Sequence, residues 1–255
     1  MIGNIREDDV EIAGSKPFRN RSRLEIDAIS GGRVEMGIGA GWYEHEYVGY
    51  GYEFPKASVR IGMLREGVEI MQRMWTEEVV SYDGNHYQLD GAICSPKPVQ
   101  DPHIPLWIAG GGEKLTLNVA ARYAAYTNFG QTLDVFNHKS EVLAEHCKDV
   151  GTDFDAITRT TNYNAIIGED EAEVAERTSW VKAHYEPYVG DRVERLIDAN
   201  YRGSGGFSGT PEQWIEFLQP WQEAGMDYAI LWFQDAAFTT RGIELFAEKV
   251  IPALQ

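Results

Sequence analysis

The order of apolar and amphipathic stretches predicts an α/β protein built from repeated strand–helix units, folded as a doubly wound sheet or a (β/α) barrel. Three observations carry this. Short runs such as VEMGIG, IPLWIAG and YAILWF have the continuous apolar character of buried parallel strands. Longer stretches of helical periodicity stand between them. The 255 residues, 43% of them hydrophobic, are enough for one large core and need no second domain, so residues 1–255 are read as one domain.

Residues 34–39 (VEMGIG) are the first apolar run and end in glycine, which predicts a strand. Over 58–75, Leu64, Val68, Met71 and Trp75 recur at near-helical spacing with Met63, Ile70 and Met74 alongside, which predicts an amphipathic helix. In 79–89 an Asp83-Gly84 turn joins two β-prone arms, the pattern of a small hairpin. The proline-rich connector SPKPVQDPHIP leads into the strand run IPLWIAG. Next come a helix over 113–124, a short strand over 125–129, a helix over 133–149 and a strand over 157–167. A long acidic helical stretch opens near Gly168. GSGGFSG, residues 203–209, reads as a flexible loop, either a ligand-closing one or a plain connector. Thr210-Pro211-Glu212-Gln213 is a capping box with proline at the first helical position, so a helix starts there. Residues 228–233 (YAILWF) predict a last buried strand and 239–254 a closing helix.

With 40 acidic and 23 basic residues the formal net charge is −17. A chain this acidic repels nucleic-acid backbones and anionic membrane surfaces, so a small-molecule substrate is expected and neither nucleic acid nor membrane is. Cys94 and Cys147 stand far apart, outside any CxxC pattern, which argues against a disulfide framework or structural zinc. No apolar run approaches the roughly 20 residues needed to span a bilayer, and no signal peptide is visible, so a cytoplasmic protein is expected.

Two segments carry chemistry. In WIAGGGEKLTL a strand runs into three glycines and then a helix. Glycines let the backbone approach an anion, and free amides at a helix start favour negative charge; Lys114 and Thr116 add a charge and a hydroxyl. The bland alternative is a tight strand-to-helix turn. In GIGAGWYEHEY, Gly39-Ala40-Gly41 is followed by aromatic and acidic residues where a strand meets its C-terminal loop, the face on which (β/α) barrels place active sites. Trp42 or Tyr43 suits the wall of a flat ring, and Glu44, His45 or Glu46 suits proton exchange. The alternative there is a solvated loop start with Trp42 plugging the core. Adjacent residues of an extended segment point opposite ways, so His45 and its flanking glutamates do not make a metal site. GxGxxG, Walker, GxSxG and HExxH patterns are absent.

Together, ISGGRVEMGIGAGWYEHEYVGYGYEFP, LREGVEIMQRMW, YDGNHYQLDGAICSPKPVQDPHIPLWIAGGGEKLTLNVAARYAAYTN and GTPEQWIEFLQPWQEAGMDYAILWF resemble the luciferase-like monooxygenase family, specifically its coenzyme F420-dependent branch. The resemblance spans roughly residues 29–254. It implies a TIM-like (β/α) barrel with a segment inserted at about 43–103 and a cofactor across the C-terminal mouth. It implies cofactor phosphate on Gly110, Gly111, Gly112 and Glu113 with Thr116 one turn in, the loop Gly39, Ala40, Gly41 and Trp42 near the ring, and Asn128 facing the cofactor. Glu44 and Glu46 are the candidate catalytic proton donors. The implied activity is hydride transfer between F420 and a small organic substrate. The alternatives are an FMN-dependent monooxygenase or a non-catalytic flavin-binding remnant.

The chain departs from the family in three respects. Tyr126 and Thr127 stand where the family has glycine and tryptophan. The family's first two strand–helix units have no counterpart. Residues 10–13 resemble a remnant of its third strand, and the helix leading into SGGR is shortened to about 19–29. The barrel is thus expected to be incomplete at its N-terminus, with open sheet edges that favour a homo-oligomer such as a dimer. A fragment, a mis-started reading frame and a degenerate member completed by a partner all remain open.

Overall fold

The computed structural model describes residues 23–130 and 132–255. Residues 10–13, and the 19–22 portion of the expected first helix, lie outside the described residues. Helix α1 (Arg23–Ser30) leads into β1 (Met36–Ile38), and the buried Asp27 carboxylate ties it down by accepting from the Val99 amide at 2.9 Å and from Gln100 Nε2 at 2.8 Å. A short helix α2 (Glu44–Gly49) follows, then α3 (Ala57–Thr76) and the hairpin β2 (Val80–Asp83) and β3 (Gln88–Ala92). The acidic cluster after β1 is therefore helical, not extended. The hairpin also runs three residues further than the sequence pattern suggested.

Strand β4 (Leu106–Ala109) pairs in parallel with β1, although residues 39–105 separate them. Then come α4 (Thr116–Tyr123), β5 (Tyr126–Asn128), α5 (Leu133–Val150) and the long β6 (Thr158–Ile167). Helix α6 (Glu171–Val189) starts at Asp170, whose carboxylate accepts from the Glu173 amide at 2.9 Å. After α7 (Val193–Ile197) a wider turn of helix, Asp198–Arg202, delivers the chain to β7 (Gly206–Gly209). Helix α8 (Pro211–Glu223) has the expected capping box, with Gln213 Oε1 accepting from the Thr210 amide at 2.9 Å. Strand β8 (Tyr228–Phe233) and the helices α9 (Arg241–Leu245) and α10 (Ile251–Leu254) end the chain.

The six main strands make one parallel sheet, ordered β1-β4-β5-β6-β7, with β8 also on β6. Thr160 of β6 is in register with Asn128 of β5 and Tyr228 of β8, and Asn164 with Gly206 of β7 and Trp232 of β8. A strand residue has one neighbour on each side, so β8 occupies one edge of β6 while β5 and then β7 share the other. This is a curled, open part of a (β/α) barrel: among the described residues nothing pairs with the outer edges of β1 and β8.

One face of the sheet is closed by helices. Leu106, Ile108, Leu117, Phe136, Leu143, Ile167, Trp214 and Leu245 are fully buried there. The opposite face, which is the interior of a (β/α) barrel, is left uncovered by the described residues. On it Trp107 stacks on Tyr126 with centroids 4.5 Å apart and meets the edge of Tyr228 at 5.5 Å, while Ile230 and Trp232 are exposed. The expectation of a buried strand at 228–233 is thus half right. Alternation is visible, because Ala229, Leu231 and Phe233 face the helices and the other three residues face solvent. Residues 203–209 are corrected more firmly. The last four form β7 in register with Asn164–Ile167, so these glycines serve close packing of backbone on backbone rather than mobility.

Glu66, on α3, is 2% exposed and locks the hairpin turn. Its carboxylate accepts from the amides of Asn85 at 3.0 Å, His86 at 2.8 Å and Tyr87 at 3.2 Å. Burial pushes this carboxyl up, but the three donating amides outweigh burial and hold it below the usual carboxylate range. A depressed folded value means that the stabilisation is full above the unfolded value of about 4.3 and fades as pH falls through the lower folded value. Glu66→Gln is expected to cost about 1–3 kcal/mol at neutral pH, since one amide loses its acceptor, and to flatten the decline below about pH 4.5. Thermal melts from pH 3 to 7 check this; parallel curves for the two proteins would refute it.

Candidate functional site

Strands β1, β4 and β5 are adjacent and parallel, so the loops after them leave from one end of the sheet. Gly39 follows β1, and a Cβ on it would lie 3.5 Å from the Ala109 carbonyl oxygen at the end of β4; Ala109 is in register with Asn128. The register thus brings the segments 39–42 and 110–113 and residue 128 to the same end of the sheet.

The triple-glycine turn is built for close approach. Gly110 has φ of 118°, which excludes other residues without strain. Glu113, Lys114 and Leu115 form a turn, and α4 begins only at Thr116, three residues later than the sequence pattern suggested. As a result Leu117 donates back to the Gly112 carbonyl at 3.0 Å, while the amides from Gly111 to Leu115 have no acceptor among the described residues. Thr116 is 7% exposed, and its hydroxyl lies 2.9 Å from where a Gly112 Cβ would stand, again without a hydrogen-bond partner among the described residues. A hydroxyl without a partner among the described residues beside a row of free amides is a donor set suited to a phosphate. The carboxylate of Glu113, which would repel an anion, points instead to His138 Nε2 at 3.2 Å, and His146 Nε2 donates to the Glu113 carbonyl at 2.7 Å.

Segment 39–42 is held from below. Gly41 has φ of 74°, and the Tyr47 hydroxyl occupies the space where its Cβ would project while donating to the Ala40 carbonyl at 3.4 Å. Arg60 reaches the Gly41 carbonyl at 3.3 Å and stacks its guanidinium 3.8 Å above Phe54. A cavity of about 470 Å³ opens beside Gly39 and Ala40, bounded by Tyr47, Tyr52, Arg60 and Met63. Trp42 is 84% exposed and tilted against Tyr43, so it does not plug the core. Glu44 and Glu46 stand exposed in the first turn of α2. Asn128 donates from Nδ2 to the buried Thr160 hydroxyl at 2.9 Å, which fixes the amide, and its oxygen has no partner among the described residues. Tyr126 and Thr127 are accounted for locally. Tyr126 completes the Trp107 stack, and Thr127 is buried behind the sheet, its hydroxyl donating to the Ile108 carbonyl at 3.0 Å.

Sequence reasoning missed Arg60 and Thr160. Arg60 lies on a helix whose role toward the loops depends on tertiary packing, and Thr160 is one of three threonines in 158–161 interrupted only by Arg159, with no local feature that singles it out. Among the described residues no three His, Cys, Asp or Glu side chains converge as metal ligands, and no helix is long and apolar enough to cross a membrane. Cys94 and Cys147 are free thiols.

The fold is an open (β/α) barrel with a triple-glycine turn after one strand and a glycine loop after its neighbour. The model of the luciferase-like monooxygenase family matches residues 22–228, and the chain belongs to that family. Among its relatives is an F420-dependent glucose-6-phosphate dehydrogenase of Nocardia farcinica, 26% identical over 243 residues, covering 88% of this chain and 70% of the relative. Two solved structures share the fold. Monooxygenase RslO1 from Streptomyces bottropensis superposes with a TM-score of 0.74 at 19% identity, covering 91% of this chain and 72% of that one. An F420-dependent secondary alcohol dehydrogenase in complex with an F420-acetone adduct has a TM-score of 0.68 at 25% identity, covering 91% and 73%.

Proposed function

We propose that this chain is an F420-dependent oxidoreductase acting on a small organic substrate, with the deazaflavin phosphate on Gly110–Glu113. The observation that carries this is the row of free amides closed by the unpartnered Thr116 hydroxyl. The relatives named for F420 support the choice of cofactor, and FMN is the competing one because it presents a phosphate to the same donors. When bound, the deazaflavin supplies the two-electron hydride chemistry. The chain's own residues bind, orient and shield. Glycines 110–112 admit the phosphate, the Arg60-braced segment 39–42 borders the ring, and the Asn128 amide, fixed by Thr160, offers an oriented acceptor. Glu44 and Glu46, solvent-exposed carboxylates in the first turn of α2, are the proposed proton donors.

The segment at about 43–103 is proposed as an insertion of a single domain: it leaves after β1 and returns to β1's own neighbour, β4. The proposed setting is the cytoplasm. Titration of the purified chain with F420 and separately with FMN, followed by fluorescence, tests the function. Micromolar F420 binding with FMN much weaker supports it, equal binding favours an FMN monooxygenase, and binding without turnover of any alcohol or sugar phosphate favours a non-catalytic flavin carrier. Binding of neither cofactor sinks all three.

The uncovered face bearing Trp107, Tyr228, Ile230 and Trp232, and the open edges of β1 and β8, support self-association, most simply as a dimer. Sedimentation velocity is expected to show a species that grows with protein concentration. A sharp monomer across the concentration range would count against it.

A further inference from the structure

Resting on the cofactor reading above, we propose that Lys139 is the cation that neutralises the phosphate at the triple-glycine turn and sets the affinity of this chain for phosphate-bearing flavins and deazaflavins.

Lys139 lies on α5, next to His138, which already faces Glu113 of the turn. A Cβ built on Gly111 would run into Lys139 Nζ, with Cε at 3.1 Å and Cδ at 3.2 Å. The last three atoms of the lysine therefore lie along Gly111, where a side chain would displace them. The side chain is half-buried, yet it makes no ion pair among the described residues. Holding an ammonium half-buried without a counter-ion is unfavourable, and the cost is relieved when an anion arrives. The free amides and the Thr116 hydroxyl lie around the same turn.

Lys114 is the rival cation. It sits on the turn itself but is exposed, so solvent and salt screen it and its contribution is small. Lys139 approaches from a packed helix, where the charge is less screened. The structure thus assigns to Gly111 a second purpose besides backbone access: it is the slot through which Lys139 reaches the ligand.

The test is a fluorescence titration of wild type, Lys139→Met, Lys139→Arg and Lys114→Met with F420, FMN and riboflavin, the last lacking phosphate. Lys139→Met is expected to weaken the phosphate-bearing ligands on the order of tenfold without changing riboflavin, Lys139→Arg to restore most of the loss, and Lys114→Met to change affinity less than about threefold. Gly111→Ala, whose methyl displaces the ammonium, is expected to weaken FMN and F420 in wild type but to add nothing in the Lys139→Met background. Unchanged phosphate-ligand affinity in Lys139→Met, or an equal loss for riboflavin, overturns the assignment of Lys139 alone. If wild type binds none of the three ligands, the cofactor reading fails and this assignment falls with it.

Discussion

Gly206→Val is expected to destabilise the protein by about 3 kcal/mol or more, enough to unfold a domain of ordinary stability. Gly206 opens β7, pressed between two backbones. On one side is β6, where Gly206 is in register with Asn164; on the other is the Asp198–Arg202 turn. A Cβ at this position would collide with the carbonyl oxygens of Asn164 and Asn200 and stand 2.9 Å from the Asn164 carbonyl carbon. All three are main-chain atoms and cannot rotate away as a side chain can. Relief requires β7 to leave β6, and with it goes the bond from the Asn164 amide to the Gly205 carbonyl at 2.9 Å. Trp214 of the following helix is fully buried, its Nε1 donating to the Ile166 carbonyl at 3.0 Å, so the disturbance reaches the core. Urea unfolding measures the effect as a lower midpoint at constant slope. Gly67→Ala, mid-helix in α3 where the nearest atom to a Cβ is Tyr87 Cε2 at 4.0 Å, serves as control and should be neutral or slightly stabilising. A Gly206→Val protein with the wild-type midpoint would show that β7 does not lie where described.

Gly111→Asp should abolish most cofactor affinity, about a hundredfold, while leaving the fold intact. Its backbone is not in the left-handed region, so aspartate meets no conformational penalty. The new carboxylate lands on the Lys139 ammonium and pairs with it, so one substitution fills the approach and cancels the nearby positive charge. A ligand phosphate then faces a negative charge across the free amides. A hundredfold loss corresponds to about 2.7 kcal/mol, within reach of one neutralised cation plus like-charge repulsion. The F420 and FMN titrations of the variant measure it, with far-ultraviolet circular dichroism to establish folding. Unaltered affinity in a folded variant would place the phosphate elsewhere.

Much of this protein is legible without coordinates. The capping box at Thr210, the periodic helix around Leu64 and Val68, and the Asp83-Gly84 turn are local patterns whose physics acts over a few residues, and each element stands within one to three residues of its expected bounds. The misreadings share a cause. Glycine signals both freedom and crowding, and the sequence of 203–209 shows only the freedom because the crowding atoms at Gly206 belong to Asn164 and Asn200. An apolar run signals burial without saying on how many faces, so YAILWF gave no warning that Tyr228, Ile230 and Trp232 face solvent. Of the alternatives for Trp42, a ring wall or a core plug, the plug is excluded because the side chain is on the surface.

By itself the sequence determined the α/β alternation, the kind and approximate extent of most elements, and the motif order that marks a luciferase-like chain. These depend on period, capping and turn chemistry, which act between residues close in the chain. Only the tertiary structure decided that β4 returns to β1 across 39–105, so that two glycine segments and Asn128 share one end of the sheet, and that Lys139 lies along Gly111. Those outcomes depend on strand register and helix packing between residues tens of positions apart, and no local pattern encodes them.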